Sequence, residues 1–157
     1  MKMYFDIGAN KGDYTESLLN SGADMVICVE PNISQVINLK RRFSPQNVII
    51  INKAVSNVIT PAIPFYICPE CDVVSTCDEQ WRTDSRFSQP DRTWLMQMVD
   101  VTTIDELVGL FGIPIHIKLD VEGYANVTTL YDGVTILRYE TINNVTYPVI
   151  DNCKLRR

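Results

Sequence analysis

The stretch YFDIGANKGDYTESLL, Tyr4 to Leu19, constrains this chain more than any other: an apolar run, a turn with two glycines, then a helical pattern. Met3 to Ile7 reads as a short buried strand. Tyr14 to Leu19 reads as the core of an amphipathic helix, capped by Asp13 and stopped at Gly22. Met25 to Val29 is again short, apolar and β-branched, so a second strand, and it ends in Glu30-Pro31-Asn32. Ser34 to Phe43 places Val36, Ile37, Leu39 and Phe43 near helical spacing, with Lys40, Arg41 and Arg42 on an exposed face. Val48 to Ile51 is a third strand. Strands and helices alternating through short connections predict right-handed crossovers and a parallel sheet covered on both faces.

The second half is less regular. Ile63 to Ile67 reads as a strand. Val73 to Pro90 is polar around Trp81 and Phe87 and reads as a long functional loop, with Val74 to Arg82 as its lid or substrate-contacting part. Met96 to Thr102 alternates weakly, as a strand would. Ile104 to Phe111, started by Thr103 or Asp105, is helical. Ile115 to Val121 is a strand with Ile115, Ile117, Leu119 and Val121 on one side and His116, Lys118, Asp120 and Glu122 on the other. Asn126 to Tyr131 reads as a short helix stopped by Gly133, Thr135 to Thr141 as a strand, and Tyr147 to Ile150 as an added edge strand.

At 157 residues the chain reads as one domain, residues 1–157. The net charge of −5 argues against a general nucleic-acid binder. No run approaches the ~18 to 20 apolar residues of a membrane span. Asp6 breaks the early apolar stretch, so no signal peptide is read and a soluble, cytoplasmic protein without membrane partners is expected. Cys28, Cys68, Cys71, Cys77 and Cys153 read as reduced thiols. Cys68, Cys71 and Cys77 lack a fourth zinc ligand, because His116 lies far off in sequence.

In an open parallel sheet, ligands bind beyond the carboxyl ends of the strands. The turn from Asp6 to Gly12 leaves the first strand there. Glycine allows close backbone approach, and free N–H groups at the next helix start can receive an anionic group. Asp6 can accept from an ammonium. Glu30 ends the second strand, 18 residues beyond Gly12, where its two oxygens can accept from ribose hydroxyls. The spacing G-x-x-x-G, Gly8 to Gly12, differs from the G-x-G-x-x-G of dinucleotide sites. A nucleoside with an amino-acid tail fits it better, and S-adenosylmethionine (SAM) is such a ligand.

DIGANKGDYT, VICVEPN, NKAVS, VDVTTIDEL and IKLDVEGY, in this order, resemble the FkbM-type SAM-dependent methyltransferases over roughly Tyr4 to Gly133. The resemblance implies the class I methyltransferase fold, a Rossmann-like doubly wound α/β architecture with a mostly parallel sheet. It also implies methyl transfer from SAM, most often to a hydroxyl oxygen of a sugar or natural-product-like small molecule. By position it implies that Asp6, Gly8, Asn10 and Gly12 line the methionine end of SAM. Glu30 would hold the ribose, with Pro31 and Asn32 shaping the adenosine side and Asn52, Lys53 and Ala54 near the adenine. Asp120, Glu122 and Gly123 would face the transferring methyl. The sequence departs from the family at Ala125, where an acid is common. Its run also ends soon after the fifth core strand, so a C-terminally shortened sheet is expected. Its open edge, Thr135 to Thr141, would call for a covering tail or a second copy.

A hydroxyl acceptor must lose its proton. Asp120, Glu122, Lys118 and His116 stand at the right edge. Asp120 or Glu122 can be the base, and Lys118 is the third catalytic candidate, although it can instead pair with an acid. The two carboxylates could also bind a divalent cation, but they make a thin site and no metal is expected. His116 reads as a helix-packing residue. The alternative to an enzyme is a degenerate SAM-binding fold acting as a scaffold or interaction subunit.

Overall fold

The computed structural model describes residues 1–56, 59–84 and 92–121, and the backbone of 136–142 and 145–151. The first half follows the sequence pattern closely. β1 (Met3–Ile7), α1 (Asp13–Asn20), β2 (Met25–Val29), α2 (Ile33–Arg42) and β3 (Val48–Ile51) come in that order. Asp13 is the first helical residue of α1 and not its cap; Gly12 holds the cap position in the left-handed region, with φ 86°. α2 is capped by Asn32, whose side-chain oxygen accepts from the Ser34 N–H at 3.0 Å.

The chain continues through β4 (Ala54–Val55), β5 (Ile63–Ile67), a 3-10 turn at Asp72–Val74, and α3 (Glu79–Asp84). Then come β6 (Leu95–Val99), β7 (Val101–Thr102), α4 (Ile104–Phe111), β8 (His116–Leu119), β9 (Ile136–Ile142) and β10 (Val145–Asp151). The single strand expected over Met96 to Thr102 is two. β6 pairs antiparallel with β5, and β7 pairs parallel with β4, because the chain changes partner at Asp100, whose carbonyl accepts from Ala54 N–H. The loop read over Val73 to Pro90 contains α3, and a bridge ties Thr76 to Tyr66.

The main sheet has the order β3-β2-β1-β8-β10-β9. β3, β2, β1 and β8 are mutually parallel. β10 runs antiparallel to β8 and to β9. Tyr147 to Ile150 was expected at the edge; it lies inside the sheet, and β9 forms the edge. β10 pairs on one side with β8 and on the other with β9, which leaves β9 with a single neighbour. The helix expected over Asn126 to Tyr131 and the turn at Gly133 lie outside the described residues. Among the described residues no helix is long and apolar enough to cross a membrane.

Period-2 alternation divides the core into two layers. Met3, Phe5, Ile7, Ile27, Val29, Ile117 and Leu119 face Ile104 and Leu107 of α4. Val26 and Cys28 face Leu18 of α1 and Leu39 and Phe43 beyond it. Each fully buried side chain of this size, such as Leu39, contributes on the order of 1.5–3 kcal/mol. α1 and α2 thus cover one face and α4 the other. The strand order reverses between β1 and β8, so a crevice opens beyond their carboxyl ends.

Candidate functional site

A cleft of about 820 Å³, including the open solvent at its mouth, lies at that reversal. Its walls come from the ends of β1, β2 and β8 (Gly8, Glu30, Asp120), the turn residue Asn10, and the segment after β5 (Asp72, Ser75, Cys77). Phe65 of β5 and Val121 supply apolar lining.

Gly8 allows the sheet to close here. Its φ is +72°, and a Cβ on it would run into the Asp120 carbonyl oxygen. Gly8 and Ala9 N–H donate to the Val29 carbonyl, and Asp120 N–H donates to Ile7, so three strand ends meet at one glycine. Asn10 also sits at positive φ, 47°, a conformation open to asparagine among the side-chain-bearing residues.

Glu30 is 5% exposed and lines the cleft. Its Oε2 accepts from Asn10 N–H at 2.8 Å and its Oε1 from Asn32 N–H at 2.8 Å. Those two bonds hold the carboxylate by one lone pair on each oxygen and leave the others for a ligand. Burial pushes its pKa up to about 7, against the lowering effect of the two backbone donors. Behind it, Asn52 Nδ2 donates to the carbonyls of Glu30 and Pro31, both at 2.9 Å. Gln97 Nε2 donates to the same Pro31 carbonyl at 2.8 Å, tying β6 to the end of β2.

Lys118 is buried beneath the cleft floor. Its Nζ lies 3.1 Å from Asp6 Oδ1 and 3.7 Å from Asp120 Oδ2, and donates to the Gly8 carbonyl at 2.9 Å. Asp6 is fully buried. Its Oδ2 accepts from Thr15 Oγ1 at 2.6 Å, and Thr15 Oγ1 lies 3.0 Å from Cys28 Sγ. Burial, with the Asp6 charge adding to it, pushes the Cys28 thiol up to about 12, so the sulfur stays protonated and donates to Thr15. His116 packs between Tyr4 and Tyr14, with its Nε2 3.2 Å from the Tyr14 hydroxyl, on the α1 side of the sheet.

Of the residues expected at the site, Gly8, Asn10, Glu30, Pro31, Asn32, Lys53, Ala54 and Asp120 line the cleft together. Asp6 does not; it is buried against Lys118. Gly12 faces away, and a Cβ there would strike Phe43 and Leu39 of the α2 layer, so its role is helix packing. Asn52 braces the cleft from behind. Lys118 is engaged with carboxylates and a carbonyl, the geometry of a positioning group. Glu122 lies outside the described residues.

Ser75 and Cys77 come from the Val74 to Arg82 segment expected to contact substrate, whereas sequence reasoning missed Gln35, Phe65 and Asp72. Asp72 accepts from Gln35 Nε2 at 3.0 Å and pairs with Lys11 Nζ at 3.1 Å. No local pattern marks it, since its partners are 37 and 61 residues away. Cys28, Cys68, Cys71 and Cys77 are free thiols. Among the described residues no cluster of His, Cys, Asp or Glu is placed to hold a metal ion.

Compared with known proteins, the chain matches no family model and no curated protein.

Proposed function

We propose that this chain is a SAM-dependent methyltransferase that acts on a hydroxyl of a sugar or other small molecule. The observation that carries the reading is Glu30. It is a buried carboxylate at the carboxyl end of β2, oriented by two backbone N–H groups, with free lone pairs in a cleft at the sheet's reversal point. The resemblance in DIGANKGDYT, VICVEPN and IKLDVEGY supports the same reading.

The residues present suit the cofactor. Asn10 Oδ1 is a buried acceptor without a hydrogen-bond partner in the described structure, the kind of atom an ammonium would satisfy. Glu30 would take the ribose hydroxyls, Asn10 Oδ1 the ammonium of the amino-acid tail, and Pro31, Asn32 and Ala54 the base. When bound, SAM supplies a methyl group on a positively charged sulfur. Asp120 is the carboxylate that can receive the acceptor's proton, and Phe65 and Val121 keep water from the apolar side of the cleft.

A non-catalytic SAM-binding module is the second reading. The observation on its side is Lys118, whose ammonium lies 3.7 Å from Asp120 Oδ2, so the carboxylate on the cleft wall already faces a cation of the protein itself. Calorimetric titration with S-adenosylhomocysteine, with NADH as control, tests the shared part. Micromolar binding of the first and none of the second is expected; no binding of either sinks both readings. Label transfer from methyl-labelled SAM to a panel of sugars then separates enzyme from module.

A further inference from the structure

Each lysine at or behind the cleft among the described residues faces a carboxylate. Lys11 Nζ lies 3.1 Å from Asp72, Lys118 Nζ 3.1 Å from Asp6, and Lys53 Nζ 3.9 Å from Glu106. The start of α1 is acidic too. Asp13 and Glu16 stand in its first turn, and Arg42 is bound to both, at 2.7 and 2.9 Å. Arg42 also donates to the Lys11 carbonyl at 2.6 Å, so its guanidinium is spent on holding the turn. Free N–H groups at a glycine turn can hold a phosphate, and an unpaired cation beside them strengthens the hold. Here the turn's own cation, Lys11, is matched by Asp72, and Gln35 fixes the Asp72 carboxylate from α2.

We propose that Asp72 biases the ligand class of this cleft: by neutralising Lys11 at the glycine turn it disfavours phosphate-bearing nucleotides relative to nucleosides whose tail is uncharged, zwitterionic or cationic. The proposal rests on reading the cleft as a nucleoside site. It assigns to the segment after β5, and not to the glycine spacing alone, the discrimination against nucleoside phosphates. The physical basis is simple. Asp72 is partly buried at the cleft wall, while Lys11 is largely exposed. The carboxylate is therefore the less screened charge that an incoming anion meets.

The test is calorimetric titration of adenosine, ADP and S-adenosylhomocysteine into the full chain, its Asp72→Asn variant and its Asp72→Lys variant, at low and at physiological ionic strength. At low salt, ADP should bind about threefold more tightly to Asp72→Asn and at least tenfold more tightly to Asp72→Lys. Adenosine should change less than twofold, which also shows that the variants keep their fold. Added salt should shrink the gain for ADP. An ADP-to-adenosine ratio that is the same in all three proteins overturns the role of Asp72, even if S-adenosylhomocysteine binds. If adenosine binds and the ratio moves as stated but S-adenosylhomocysteine does not bind, the methyltransferase reading fails and the role of Asp72 stands. Failure of the unaltered chain to bind any of the three overturns both.

Discussion

Lys118 and Asp6 occupy the paired position of two adjacent parallel strands, β8 and β1, and their charged atoms lie 3.1 Å apart inside the protein. Asp6 Oδ1 makes no hydrogen bond, so the ammonium is its Coulombic partner. The pair sits directly under the turn that opens the cleft, and the same ammonium reaches the Gly8 carbonyl above it. Taking both charges from water is costly, and close pairing is what offsets that cost.

Lys118→Met should therefore lower stability by about 3–5 kcal/mol, since it leaves Asp6 buried without a cation. Adding Asp6→Asn to it should recover part of the loss. Urea unfolding of both variants measures this. A loss under ~1 kcal/mol for the single variant would show that the pair does not hold the sheet ends together.

Gly8 and Gly22 both have positive φ, at 72° and 85°, but only Gly8 is crowded. Gly22→Ala should cost about 1 kcal/mol, the backbone term alone, because nothing lies within 4 Å of its Cβ position. Gly8→Ala should cost more than 3 kcal/mol, because the ends of β1 and β8 must separate to admit the methyl. Equal losses in thermal unfolding would remove the close approach of Gly8 to Asp120 as the reason for the first glycine.

On the proposed ribose-binding role, Glu30 should make binding and stability depend on pH in opposite directions. Its folded-state pKa, about 7, lies above the ordinary value of 4.5, so the folded protein holds the extra proton between those values. Its contribution to stability is fully present below about 4.5 and is lost as pH rises through about 7. Ligand hydroxyls donate best to the ionised form, so S-adenosylhomocysteine affinity should rise over the upper part of that window. Glu30→Gln should weaken binding at least tenfold and flatten both profiles, and it offers only one acceptor to the N–H groups of Asn10 and Asn32. Titrations and melting curves from pH 5 to 8 check the sign; an affinity that falls as pH rises would contradict the ribose assignment.

On the methyltransferase reading, Asp120→Asn should reduce turnover at least a hundredfold and change S-adenosylhomocysteine affinity less than threefold, since the amide keeps its place on the cleft wall but cannot take a proton. Once an acceptor is found, single-turnover rates and calorimetry separate the two effects. Equal loss of both would make Asp120 a cofactor-binding group.

The alternation of strand and helix through β3 was legible because hydrophobic period is local: Met3 to Ile7 and Met25 to Val29 alternate across two core layers, and Val36 and Leu39 repeat at helical spacing. The acid of the cleft was legible for the same reason. Glu30 ends a recognisable strand, and strand ends in a parallel sheet share one edge. The weak alternation from Met96 to Thr102 was read as one strand because a change of partner leaves no mark on periodicity.

Sequence by itself thus determined the layered α/β plan, the glycine turn and the position of Glu30, each of which depends on a few neighbouring residues. Tertiary structure alone decided that Asp6 and Lys118 turn inward to each other, that Gly12 serves helix packing, that β10 enters the sheet beside β8, and that Asp72 reaches Lys11 across 61 positions. Those outcomes depend on which surfaces meet when the chain closes on itself. A side chain's neighbours across a fold are set by packing and loop geometry, and local pattern carries no record of them.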